Sequence, residues 1–257
     1  MPSVKYELYD SLAIIRLNRP TLRNAIDNEM VSLFDQYLDQ ALEDKARAVI
    51  ITGNGNGFCS GTDLKEMQAI SLDEYLDKVA RVHNLFQRMR NFPLISIAAI
   101  NGPALGGGNE LAIACTFRIA SQQAIFGLPE VKLGVMPSYG GTQFLSRLIG
   151  ENKALELMLS AQNLSAEEAL SIGLINRLSN SDDSLLEDAC NFAKELSQYS
   201  LVAQQGIRAC SARSFDSDLA SNLDFERQLT ASVFTSNDAK EGVSAFLEKR
   251  SPTFKDC

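Results

Sequence analysis

The 257-residue sequence has no tryptophan and a single histidine, His83. With one histidine, a Ser–His–Asp hydrolase would have only one candidate base, and no Gly-x-Ser-x-Gly elbow accompanies it. His83 lies in the polar helical stretch Asp77–Arg90 and reads as a surface or packing residue. Cysteine is scarce and odd in number. Cys59, Cys115, Cys190, Cys210 and Cys257 include no Cys-x-x-Cys pair, which fits a reducing cytosol better than a disulfide framework or a zinc site. No run of about 18 uncharged apolar residues is present, so no membrane-spanning helix is expected. The first ten residues, MPSVKYELYD, lack both the apolar core of a secretory signal and an Arg-rich import pattern, which makes a cytoplasmic location the expectation. Basic residues are outnumbered, 24 Lys and Arg against 32 Asp and Glu. The resulting net charge of −8 argues against nucleic acid or an anionic membrane surface as partner.

What remains is an ordinary globular composition, 45% hydrophobic and 22% charged, with ample material for a core. Leu12–Leu17, Ala48–Thr52 and Leu94–Ile100 are strand-length apolar runs rich in branched residues. Between the first two, Ile26, Met30, Leu33, Phe34, Leu38, Ala41 and Leu42 recur with helical period, with Asp27 as N-cap. Strand, helix, strand with few polar positions inside the strands predicts a largely parallel sheet covered on both faces. After Gly150 helix signals dominate: a capping box at Ser165–Glu168, then apolar stripes near 184–199, 201–212 and 218–234. The reading is an α/β core over residues 1–197 and a helical lobe over 198–257.

Glycine clusters in two places, Gly53-Asn-Gly-Asn-Gly57 and Gly102-Pro-Ala-Leu-Gly-Gly-Gly108. Each follows a strand and leads toward a helix, the end of an open α/β sheet where ligands bind. Neither contains Gly-Lys-Ser/Thr, so neither is a P-loop, and neither gives a clean dinucleotide fingerprint. Facing each other, two such turns could each offer one backbone N–H to a developing oxyanion. Acid and base would then be carboxylates. Glu110 falls in the first turn of the helix after the second cluster, and Glu130 in the Gly/Pro-shaped segment Phe126–Val131. Taken singly these are ordinary features, a dipole-complementing acid, a loop acid and two tight turns. Together they could place a water and move a proton α to a carbonyl.

At these residues the sequence resembles the enoyl-CoA hydratase/isomerase (crotonase) family, essentially from end to end. The resemblance rests on Leu17-Asn-Arg-Pro20 with Asn24-Ala25, on Phe58–Met67, on Asn101–Ala112, and on Phe126–Gly134 with Gly140–Gln143. It implies a crotonase-type ββα spiral core and a helical C-terminal oligomerisation lobe that builds a homotrimer or homohexamer. It implies an oxyanion hole from the N–H groups of Thr62 and Gly107, with Glu110 and Glu130 as catalytic carboxylates. Thr21, Leu22, Arg23, Ser60, Asp63, Leu64 and Lys65 would follow the CoA path, and Phe246 and Lys249 in the basic tail would reach it as well. The implied reaction is hydration of a 2-trans-enoyl-CoA, with an acyl-CoA thioester as substrate and no metal or redox cofactor. Double-bond isomerisation, dehydration, decarboxylation, and a non-catalytic CoA- or RNA-binding role are the alternatives. The sequence departs from typical short-chain hydratases at Ser138 and Tyr139, which stand where those have Gly-Ala and are expected to narrow or polarise the acyl pocket.

Overall fold

Strands β1 (Val4–Tyr9), β2 (Leu12–Leu17), β3 (Ala48–Gly53) and β4 (Ile95–Ile100) lie side by side, followed by β6 (Phe117–Ala120) and β9 (Arg177–Leu178). In this computed structural model, which describes residues 1–256, β1 pairs antiparallel with β2 and every later pairing of that sheet is parallel. All six residues of β3 and all six of β4 are buried, as a parallel strand covered on both faces requires. β1 has no counterpart in the sequence reading, because this edge strand buries only Val4 fully and shows no apolar run. A second sheet holds β5 (Ala104–Leu105), β7 (Ile125–Gly127) and β8 (Leu164–Ser165).

Helix α1 (Asn28–Glu43) starts on Asp27, whose side chain accepts from the Met30 amide, and buries Met30, Val31, Phe34, Leu38 and Ala41 on the expected stripe. The short α2 (Leu64–Ala69) is capped by Asp63, and α3 (Leu72–Arg90) by a Ser71–Glu74 capping box. His83 is exposed on α3. Helix α4 (Gly107–Ala114) is buried along its whole length. Next come α5 (Gly141–Ile149), α6 (Glu151–Ser160), α7 (Ala166–Ser171), which opens on the predicted Ser165–Glu168 capping box, and α8 (Leu185–Ser197).

The chain divides into two units, Met1–Ala193 and the residues from Lys194 onward. The second unit carries α9 (Leu201–Ala212), α10 (Leu219–Thr235) and α11 (Asn237–Glu248), each started by a side-chain cap, Ser200, Asp218 and Ser236. No helix among the described residues is long and apolar enough to cross a membrane.

Candidate active site

The two glycine turns leave neighbouring parallel strands, β3 and β4, and are laced together by side-chain amides. Asn101 Oδ1 accepts from the Gly53 amide at 3.0 Å, and its Nδ2 donates to Gly55 O at 2.9 Å. From the other side, Asn24 Nδ2 donates to the carbonyls of Asn54, Gly57 and Phe58 at 3.0, 2.9 and 3.1 Å. Backbone bonds finish the join: Cys59 N–H donates to Pro103 O, and Leu105 N–H to Cys59 O. The Asn24-Ala25 and Asn101-Gly102 motifs therefore carry polar hubs, Asn24 buried and Asn101 half-buried, that fix both turns before any ligand binds. Cys59 is no nucleophile: it is fully buried, and burial pushes its thiol up to about 12.

The amides the turns present follow from this register. Ile26 N–H donates to Gly61 O, and Asp63 N–H to Ile26 O, so the N–H of Thr62 between them turns away from Ile26. In the other turn Gly106 has φ +52° and starts α4, whose Asn109 and Glu110 amides return to Gly106 O. The Gly107 N–H, at the first helical position, has no intrahelical acceptor. The turns touch here. A Cβ on Gly61, itself at φ +96°, would stand 2.9 Å from Leu105 O and 3.1 Å from Gly107 N, so only glycine fits.

Both amides border a cavity of about 420 Å³ in the first unit, and so do Glu110 and Glu130. Glu110 is 1% exposed. Its Oε1 accepts from the amides of Tyr139 at 2.9 Å and Gly141 at 2.7 Å. Burial pushes its pKa up to about 8, against those two bonds and with help from the charge of Glu130. Burial raises Glu130 too. Glu130 lies across Gly106, where a Cβ would meet its Oε1 at 2.8 Å, and its Oε2 is buried without a protein hydrogen-bond partner. Burial raises both carboxyls at one cavity, and the Glu130 charge raises Glu110 further, which favours a state that holds a proton and can supply one acid and one base.

The other wall is formed by Met67 and Tyr75 from α2 and α3, with Leu133, Val135, Met136 and Ser138 after the Glu130 turn. Tyr75 has no spacing or motif that marks it in the sequence, whereas Met67 and Leu133 lie inside the motifs Phe58–Met67 and Phe126–Gly134, which assign them no role. Leu22, Arg23, Ser60, Asp63, Leu64 and Lys65 also border the cavity, whereas Thr21 is exposed and does not. Burial works against the Asp63 charge, but its bond to the Arg19 guanidinium at 2.9 Å and the amides it caps hold its carboxyl below the usual range. Phe246 and Lys249 belong to the second unit. Phe246 is exposed, and Lys249 ends α11 in a left-handed turn. Tyr139 departs from expectation. It is 1% exposed and packs behind the amides rather than bordering the cavity, because its hydroxyl finds Thr62 Oγ1 and its ring finds Phe86. Ser138 does border the cavity, its Oγ accepting from Tyr75 Oη at 3.1 Å.

Two backbone amides and two raised carboxyls at one cavity fit the family that the motifs resemble, and the sequence model of the Enoyl-CoA hydratase/isomerase family matches residues 7–257. The chain belongs to the enoyl-CoA hydratase/isomerase family. A probable mitochondrial enoyl-CoA hydratase of Dictyostelium discoideum is 39% identical over 95% of this chain and 87% of its own. A short-chain-enoyl-CoA hydratase of Clostridium acetobutylicum is 36% identical over 96% and 95%. The crystal structure of an enoyl-CoA hydratase from Bacillus anthracis superposes with a TM-score of 0.93 at 34% identity, covering 99% of this chain and all of that one. The architecture is thus the mixed α/β crotonase fold with C-terminal helices, and enzymes of this family act on acyl-CoA substrates.

Proposed function

We propose that this crotonase-family protein is an enoyl-CoA hydratase, adding water across a 2-trans-enoyl-CoA to give a 3-hydroxyacyl-CoA. The observation that carries the reading is that both Glu110 and Glu130 border the cavity into which the Thr62 and Gly107 turns open. Polarisation falls to the two N–H groups, which gain strength as negative charge moves onto the thioester oxygen. In the reactive form the pair's one proton sits on Glu130, and Glu110, ionised in that form although burial raises its pKa to about 8, takes a proton from water as the water oxygen bonds to C3. The protonated member, assigned to Glu130, gives its proton to C2 on the same face. One water is consumed, and the pair resets by exchanging one proton. The buried, unpartnered Oε2 of Glu130 suits a group that must deliver a proton without a competing bond.

The CoA moiety is assigned to the side of the cavity bordered by Leu22, Arg23, Ser60 and Lys65, with Phe246 and Lys249 contributed by the helical lobe of a homotrimer or homohexamer. The deciding assay follows loss of the conjugated thioester absorbance of crotonyl-CoA and identifies the product. Formation of 3-hydroxybutyryl-CoA is expected. Conversion of a 3-enoyl-CoA to its 2-enoyl isomer, with no hydration, would replace this reading with an isomerase.

A further inference from the structure

Tyr139 reaches three of the four groups assigned to the chemistry, Glu110, Thr62 and Gly107, without bordering the cavity. Its backbone N–H donates to Glu110 Oε1 at 2.9 Å. Its hydroxyl accepts from Thr62 Oγ1 at 3.0 Å. Its ring lies against the α-carbon of Gly107, where a Cβ would stand 2.9 and 3.0 Å from two ring carbons. The ring is itself held edge-on by Phe86, with centroids 6.2 Å apart. Burial keeps the hydroxyl protonated, so it meets Thr62 as a neutral partner with fixed bonds.

The link matters because of what precedes Thr62. Gly61 has φ +96° and no side chain, so the peptide carrying the Thr62 N–H gains no side-chain hold from that residue. Ile26 fixes it from one edge through the Gly61 carbonyl and the Asp63 amide. The Thr62 side chain is the remaining handle, and Tyr139 holds it. The same rigid ring sets the floor under the second donor. An oxyanion hole needs both donors aimed at one point, and sub-ångström errors of aim are costly.

We propose that Tyr139 is a positioning residue that ties the Thr62 amide to the Gly107 amide through one buried side chain, so that the two act as a single oxyanion hole. This rests on the assignment of the hole to those two amides. It differs from a pocket-narrowing role, because the side chain lies behind the donors and not in front of the acyl group.

The test compares wild type, Tyr139→Phe, Thr62→Val, the double variant and Thr62→Ser. Phenylalanine keeps the ring beneath Gly107 and removes only the hydroxyl. In Tyr139→Phe, kcat for crotonyl-CoA hydration should fall about tenfold, with KM and the melting temperature near wild type. Thr62→Val should match that loss, and Thr62→Ser, which keeps the hydroxyl donor, should restore most of it. The double variant should be no worse than either single change, because one link is broken once. A second readout needs no turnover: acetoacetyl-CoA bound to the protein, whose enolate absorbs in the near ultraviolet. That band should be strong in wild type and weaker in Tyr139→Phe. A wild-type kcat or an unchanged enolate band in Tyr139→Phe, losses that multiply in the double variant, or a fall in kcat that tracks loss of fold would each overturn the proposal. If wild type fails to hydrate crotonyl-CoA yet polarises acetoacetyl-CoA, the hydratase reading falls and the band alone decides the role of Tyr139. No polarisation by wild type would overturn the hole and this proposal together.

Discussion

Gly141 is glycine because Glu110 lies against it. Its amide donates to Glu110 Oε1 at 2.7 Å, and a Cβ in its place would stand 2.8 Å from the same oxygen. A buried carboxylate oxygen and a helix start share one small space, and nothing larger than hydrogen fits between them.

Gly141→Ala follows directly. Position 141 is the first residue of α5, where alanine is the better helix former. The fold should therefore hold while the Glu110 carboxyl is pushed aside. We expect kcat to fall at least about tenfold, with the melting temperature unchanged or higher, as read by steady-state kinetics and thermal denaturation.

Glu110 should also govern how stability depends on pH. Its pKa in the folded protein is pushed up to about 8, whereas in the unfolded chain it has the ordinary value near 4.5. Below that lower value both states are protonated and no penalty arises. As pH rises toward 8 the unfolded chain releases a proton that the folded one retains, so the fold loses stability across that window. Glu110→Gln removes the titration and can still accept the Tyr139 and Gly141 amides. The variant should be more stable than wild type by a few kcal/mol at pH 8 and nearly equal to it at pH 4. It should lose about two decades or more of kcat. An equal stability gap at both pH values would mean that Glu110 ionises normally.

Lys78 is 1% exposed on α3, and its Nζ donates to Ile26 O and pairs with Glu66 of α2. Glu66 also accepts from Asn28 at 2.7 Å. Lys78→Met keeps the aliphatic stem but leaves the Glu66 carboxylate, 25% exposed, short of its cation. A loss of about 2–4 kcal/mol is expected in denaturant titration, below the full cost for a wholly buried partner. Adding Glu66→Gln should recover part of it.

Ser138 borders the cavity and bonds Tyr75 Oη, whereas Tyr139 beside it faces the interior. Ser138→Gly should raise kcat/KM for a longer enoyl-CoA relative to crotonyl-CoA by several-fold. An unchanged ranking across a chain-length series would place the acyl group elsewhere in the cavity.

The long elements and the ordered motifs were legible because each carries its own local signal. The branched runs of β2, β3 and β4, the stripe of α1 with its Asp27 cap, and the Ser165–Glu168 box state their structure over a few residues. The two-residue strands β5, β8 and β9 were not legible, since they exist only through partners far along the chain. The same division runs through the site. Glycine turns and paired glutamates could be found by pattern. The inward face of Tyr139, the Lys78–Glu66 pair and the Tyr75 wall depend on packing between segments tens of residues apart, and a short window of sequence contains nothing of that.

The stitching by Asn24 and Asn101 also sets the order in which the first unit loosens. Amides of Phe58, Cys59 and Leu105 are bonded across the join between two central, fully buried strands, whereas α2 is six residues long and buries none of them. Local opening is cheapest where few buried contacts resist it, and dearest where buried polar groups must all be released together. In hydrogen exchange the Cys59 and Leu105 amides should rank with the slowest in the unit, and those of α2 with the fastest. The wall of the cavity can then breathe to admit and release an acyl-CoA while the Thr62 and Gly107 turns, proposed to hold the oxyanion, stay in place.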